Sequence, residues 1–145
     1  MHKIYVVCLC LLALTGAPDD THMRSSRPAP PPVLGAWRFV GTAPPGFVRT
    51  GTEVARLTLT LQRGRLHALV STGKHRYNAD GRYSAAQHQL LLSVPTTAGR
   101  VRLQATLGQH DARMLGIWSD THGDDGGFVL LRVPPPRRAP THHRR

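Results

Sequence analysis

"VARLTLTLQRGRLHALVST", residues 54 to 72, decides the fold class. Leu57, Leu59 and Leu61 alternate with Thr58, Thr60 and Gln62, after Val54 at the start of the run. A period of two places the leucines on one face of an extended strand and the threonines on the other. Arg63-Gly64 then interrupts the run, and a second stretch of strand character begins at Arg65. A two-residue connection with glycine to supply positive φ closes a tight hairpin. The local unit is therefore an antiparallel pair with one face to bury.

The same grammar extends in both directions. "RVRLQATL" (100–107) sets Val101, Leu103, Ala105 and Leu107 on one face, and "HQLLLSV" (88–94) and "GFVLLRV" (127–133) are apolar runs of strand length. Turn residues fall between them at "GTAPPG", "STGKH", "SAAQH", "PTTAG" and "LGQHD". Eight strands are predicted, at 34–42, 54–62, 65–72, 76–84, 88–94, 100–107, 112–119 and 127–133, and no stretch of helical length carries a 3.6-residue period. Sequential strands joined by short turns form an antiparallel meander. Closing it removes both exposed edges, so the reading is all-β, a small up-and-down barrel, with a two-sheet β-sandwich as the alternative.

The ends of the chain differ from this middle. "MHKIYVVCLCLLALTGA" (1–17) opens with His2 and Lys3, continues apolar from Ile4 to Leu14, and ends in small residues, the pattern of an export signal. The apolar run is shorter than the roughly 20 residues that span a bilayer. Pro18, directly after the expected cut, disfavours cleavage and keeps an uncleaved anchor open. Cys8 and Cys10 both lie in this segment, so a processed chain has no disulfide, no thiol nucleophile and no cysteine-bound zinc. Residues 18–33 read as a proline-rich linker and 134–145 as a basic, disordered tail, which leaves 34–133 as the barrel domain. The expected location is secreted or periplasmic, with no transmembrane span once the signal is removed.

Glycine recurs two residues before an aromatic ring, at Gly35-Ala-Trp37, Gly81-Arg-Tyr83 and Gly116-Ile-Trp118. Residues i and i+2 of a strand share a face, so each ring is expected to lie over the bare glycine backbone. The opening Gly-x-Trp, the alternating hairpins and the closing "GIWSD…GGFVLLRV" together resemble small secreted bacterial barrels of the lipocalin and avidin-like type. The likeness covers about residues 34–133, and "RYNADGRYSAA" (76–86) is similar to the fourth-strand region of avidin-like proteins. Their biotin site does not carry over: Phe39 and Ala43 stand where that family places asparagine and serine, and no tryptophan occurs between Trp37 and Trp118. The resemblance thus implies the fold and not the ligand.

Candidate sites are few. Asp120, His122 and Asp124 in "DTHGDDG" (120–126) offer cation ligands at alternating spacing, but the glycine is misplaced for an EF-hand loop and no bidentate glutamate follows. Aspartate and glycine are also what a hairpin loop uses, and the loop is read as a turn, with a metal site only as its weak alternative. Glu53 is the sole glutamate, no serine has nucleophile-elbow context, and neither catalysis nor a cofactor is expected. An eight-stranded barrel is either just filled by side chains or holds one small molecule. For the second case the inward candidates are Trp37, Leu59, Leu69, Tyr83, Leu92, Leu103 and Trp118, with Trp37, Tyr83 and Trp118 as ligand contacts.

The charge is +11, and all but two of the basic residues are arginine. They are scattered through every segment, as compositional bias alone would scatter them, rather than gathered into a stripe. Arg137, Arg138, Arg144 and Arg145 in the tail are the candidate contacts to an anionic partner. The expected role is that of an exported, non-enzymatic module of the cell envelope, meeting a protein, glycan or anionic lipid through its exterior. Alternatives are a carrier of a small apolar ligand and, if the export signal is misread, a nucleic-acid-binding barrel using Arg76, Tyr77, Arg82 and Tyr83.

Overall fold

The computed structural model describes residues 28–137. The expected export signal, the expected linker up to residue 27 and Arg138, Arg144 and Arg145 lie outside the described residues. Eight antiparallel strands form one closed barrel: β1 Gly35–Gly41, β2 Ala55–Gln62, β3 Arg65–Ser71, β4 Arg76–Ser84, β5 Gln89–Thr96, β6 Gly99–Leu107, β7 Arg113–Asp120 and β8 Asp125–Arg132. Each pairs with its neighbours in sequence, and β8 returns to β1 through Trp37↔Arg132, Phe39↔Leu130 and Gly41↔Phe128. Every edge is paired, which excludes the sandwich. No helix among the described residues is long and apolar enough to cross a membrane.

The β2–β3 hairpin fixes the register of the wall. Both turn residues have positive φ, 50° at Arg63 and 78° at Gly64, the requirement of a two-residue turn whose twist matches the strands. The pairs Leu61↔Leu66, Leu59↔Ala68 and Leu57↔Val70 then place Leu66, Ala68 and Val70 on the inner face. Leu69, expected inside, consequently points outward opposite Thr58. Apolar residues of both parities in "LHALVS" hide this from the sequence, and the turn decides it. At the far side of the barrel, β5 runs on through Pro95 and Thr96, so Thr97 and Ala98 alone connect it to β6.

The rings pack over glycine across strands rather than along them. Trp118 opposes Gly126 and Phe128 opposes Gly116. A Cβ on Gly126 would sit 2.7 Å from the Trp118 Nε1, and one on Gly116 would sit 2.4 Å from the Phe128 Cζ. Directly opposed residues on one face have Cβ atoms about 5 Å apart, closer than i and i+2 on a single strand, so the bulky partner spreads over its cross-strand neighbour. β7 and β8 thus exchange ring for glycine reciprocally. Gly81 marks a corner instead: β4 pairs with β3 only as far as Leu66↔Gly81 and then continues along β5.

Large side chains occupy the interior. Trp37, Phe39, Leu57, Leu59, Leu90, Met114 and Leu130 are all fully buried, and Phe39 stacks on Phe128 with ring centroids 4.4 Å apart. Each such burial contributes roughly 1.5–3 kcal/mol before ordering costs. Both ends are covered. At the entry end Val33 is buried, Trp37 Nε1 donates to its carbonyl at 2.8 Å, and Arg132 lies 4.2 Å over the Trp37 ring. The packed domain therefore begins before residue 34: the carbonyls of Pro32 and Leu34 accept hydrogen bonds from Arg132. At the far end the β1–β2 loop folds over the opening. Phe47 packs edge-on against Phe39 and stacks with Tyr77, whose hydroxyl donates to Gly46 O at 3.0 Å.

Candidate functional site

The three aromatic candidates do not converge. Trp37 lies toward the entry end, and its indole N–H is taken by Val33. Trp118 lies toward the far end, where its N–H donates to Thr42 O at 3.1 Å. Neither retains a donor for a ligand. Tyr83 is half-buried at the entry end, where burial and, secondarily, the nearby Asp111 charge push its phenol above the ordinary range. It borders an external notch where β3 and β4 part, together with Pro31, Leu61 and the outward pair His67–Asp80. His67 Nδ1 is 2.9 Å from Asp80 Oδ1, but no hydroxyl among the described residues hydrogen-bonds to His67, so the pair lacks the contact that activates a nucleophile. Tyr77 faces inward, so "KHRYNADGRY" does not present the alternating aromatic and arginine side chains of a base-stacking platform.

The acidic loop is organised on itself. Asp120 Oδ1 accepts from the backbone N–H groups of His122 and Asp124, both at 2.9 Å, and its own N–H donates to Asp124 O. Asp120 Oδ2 lies 3.4 Å from His122 Nδ1 within a side chain only 3% exposed, and has no hydrogen-bond partner. This is side-chain capping of a turn, with Asp124 left in solvent. No cluster of three or more potential ligands suited to a metal ion occurs among the described residues.

The Asp120 environment has a measurable consequence. Burial pushes its carboxyl up, but the Asp124 and His122 amides, and then the His122 ring, outweigh that and hold it below the ordinary range. A carboxyl depressed in the folded state stabilises the fold above its unfolded pKa of about 4 and loses that contribution as pH falls through the folded value. Asp120→Asn keeps an acceptor for both amides and removes the titration. Melting temperature against pH should therefore fall less steeply below about pH 4 in Asp120→Asn than in the parent. Parallel acid limbs would refute the assignment.

The tail and the outer wall remain. Arg137 is exposed just beyond β8; the other tail arginines are outside the described residues. A cleft of about 630 Å³ takes consecutive residues from β4, β5, β6 and β7 and none from the strands across the barrel, which places it on the outer wall. Leu91 and Ile117 border it, with Arg82, Arg102 and Gln104. It continues into a surface that sequence reasoning missed. Leu115 and Ile117, both outward on β7, are 57% and 62% exposed. Leu115 lies opposite Val129, and Val129 opposite Val40, while Leu131 lies between Arg113 and Arg38. The signal was present: Met114–Trp118 and Phe128–Leu131 are apolar at both parities, where a strand with one wet face should alternate.

No family model matches the chain, and a search of curated proteins finds no match.

Proposed function

We propose that this chain is a non-enzymatic binding module that acts through the outside of a filled barrel on an anionic partner, as an exported component of the cell envelope. The barrel is compatible with the lipocalin and avidin-like architecture, and the reading takes from that likeness a scaffold without its hollow. One observation carries it: Trp37, Phe39, Leu57, Leu59, Leu90 and Met114 occupy the interior while residues 31–34 and the β1–β2 loop close the two ends. A chain at +11 favours an acidic partner.

Native mass spectrometry of the full-length gene product recovered from its host tests this reading. The expected spectrum is a chain free of any stoichiometric apolar adduct. One apolar molecule retained per chain would establish the carrier instead and overturn the proposal.

A further inference from the structure

We propose that the outer face of β7 and β8 is the contact surface, and that its partner is the surface of an anionic lipid bilayer. This rests on the exterior-acting module above and names its partner. Register places the aliphatic side chains in adjoining rows. Leu91, Gln104 and Ile117 form one row across β5, β6 and β7, with Gly127 beside Ile117 leaving its flank bare. Leu115, Val129 and Val40 form the next. Leu131 adjoins them between Arg113 and Arg38, and Arg82 stands beyond Leu91.

Charge and shape select the occupant. Arg38, Arg82, Arg102 and Arg113 make no salt bridge among the described residues; of the arginines, only Arg56 does, with Glu53. On the strands beside these rows the acidic residues are Asp125, opposite Ser119, and Asp80, which is engaged with His67, while Asp111 and Asp124 lie in the flanking loops. A second copy docking by the same face would bring guanidinium against guanidinium and leave both sets without counter-charge. Apart from Gln104, the rows are aliphatic, without the Tyr, Trp or Met that mark protein interfaces. Leu115 and Ile117 are well exposed on the outer wall of the closed barrel, where a fluid interface can take them up without a matching surface. Around them, arginine stems lie along apolar surface while the guanidinium groups reach phosphate. Apolar insertion combined with basic attraction is the general recipe for binding at a bilayer surface.

Covalent footprinting read by mass spectrometry, on the full chain with phosphatidylglycerol–phosphatidylcholine vesicles, locates the contact independently of residues 1–17. The expected result is protection at Leu115 and Ile117, not at Leu69 on the other wall, and loss of that protection at high salt. The double variant Leu115→Thr/Ile117→Thr leaves the interior untouched and keeps strand propensity; its partitioning should fall at least about tenfold. Arg102→Gln and Arg113→Gln should each lower it about fivefold. Three results would overturn the proposal: equal protection by pure phosphatidylcholine, protection that grows with protein concentration in the absence of vesicles, or sedimentation with vesicles while the patch stays reactive. None of these touches the filled-barrel reading, which only a retained apolar ligand refutes.

Discussion

Gly116→Val is expected to lower the melting temperature by roughly 15 °C or more, if the variant folds at all. The added Cβ would lie 2.4 Å from Phe128 Cζ and 2.6 Å from the backbone oxygen of Gln104. The carbonyl belongs to the β6–β7 ladder and cannot move without breaking it. The ring has nowhere to retreat, because it stacks 4.4 Å from Phe39 and its own Cα and Cβ lie close against Gly41. Overpacking costs about 1–3 kcal/mol where side chains can adjust, and more where backbone must. A loss near 3 kcal/mol, at about 4–8 °C per kcal/mol for a domain of this size, gives the stated shift. Gly127→Ala is the internal control: it faces outward, nothing stands within 4 Å of the place its new Cβ would take, and its effect should stay within about 0.5 kcal/mol. Shortening the opposing ring should relieve the clash, so Gly116→Ala/Phe128→Leu should be more stable than additivity of the two single changes allows. Thermal melts followed by circular dichroism read all of these variants. A Gly116→Val melt equal to that of the parent would mean that Phe128 does not lie over Gly116.

That glycine shows where sequence reasoning succeeds and where it stops. The alternation of Leu57 and Leu59, and of Val101, Leu103, Ala105 and Leu107, is a local property of the chain, and it locates strands and inward faces without knowledge of partners, although Leu61, on the same parity, is exposed at the end of β2. What the glycines beside Trp37, Tyr83 and Trp118 are for is not local. Register brings Phe128 to Gly116 and Gly126 to Trp118, and register depends on turns and ring closure that no single strand encodes. Leu69 fails for the same reason: "LHALVS" has two apolar parities, and only the Arg63-Gly64 turn selects between them. The turn chemistry of Asp120 was legible, since its hydrogen bonds reach only two and four residues along the chain. The arginine-rimmed apolar face was not, because its rows are assembled from β5, β6, β7, β8 and β1.

Arg132 is the residue whose role is most completely hidden in sequence, and its replacement is expected to rank next in effect. It stands at the end of β8 on the inward parity of Phe128 and Leu130, where a charge is costly unless paired and hydrogen-bonded. The structure supplies those partners from three separate segments. Its guanidinium donates to the carbonyls of Pro32 and Leu34 in the entering chain and of Asp111 in the β6–β7 loop, and it covers the Trp37 ring at 4.2 Å. Hydrogen bonds to a charged group contribute about 1.5–3 kcal/mol each and a desolvated cation–π contact about 2, against the cost of holding the charge half-buried. Arg132→Met keeps the apolar stem and removes every donor, and should cost about 3 kcal/mol, or roughly 12–24 °C in melting temperature. Arg132→Lys should recover little of this, because a single ammonium cannot reproduce a planar fork directed at three carbonyls. Hydrogen exchange separates this latch from general destabilisation. The Leu34 amide, bonded to Pro31 O, should exchange faster in Arg132→Met under native conditions, while the Leu57 and Leu103 amides of the wall exchange no faster than the global loss requires. If Leu34 stays as protected as the wall, burial of Val33 alone holds the entering segment, and Arg132 is only a tolerated charge.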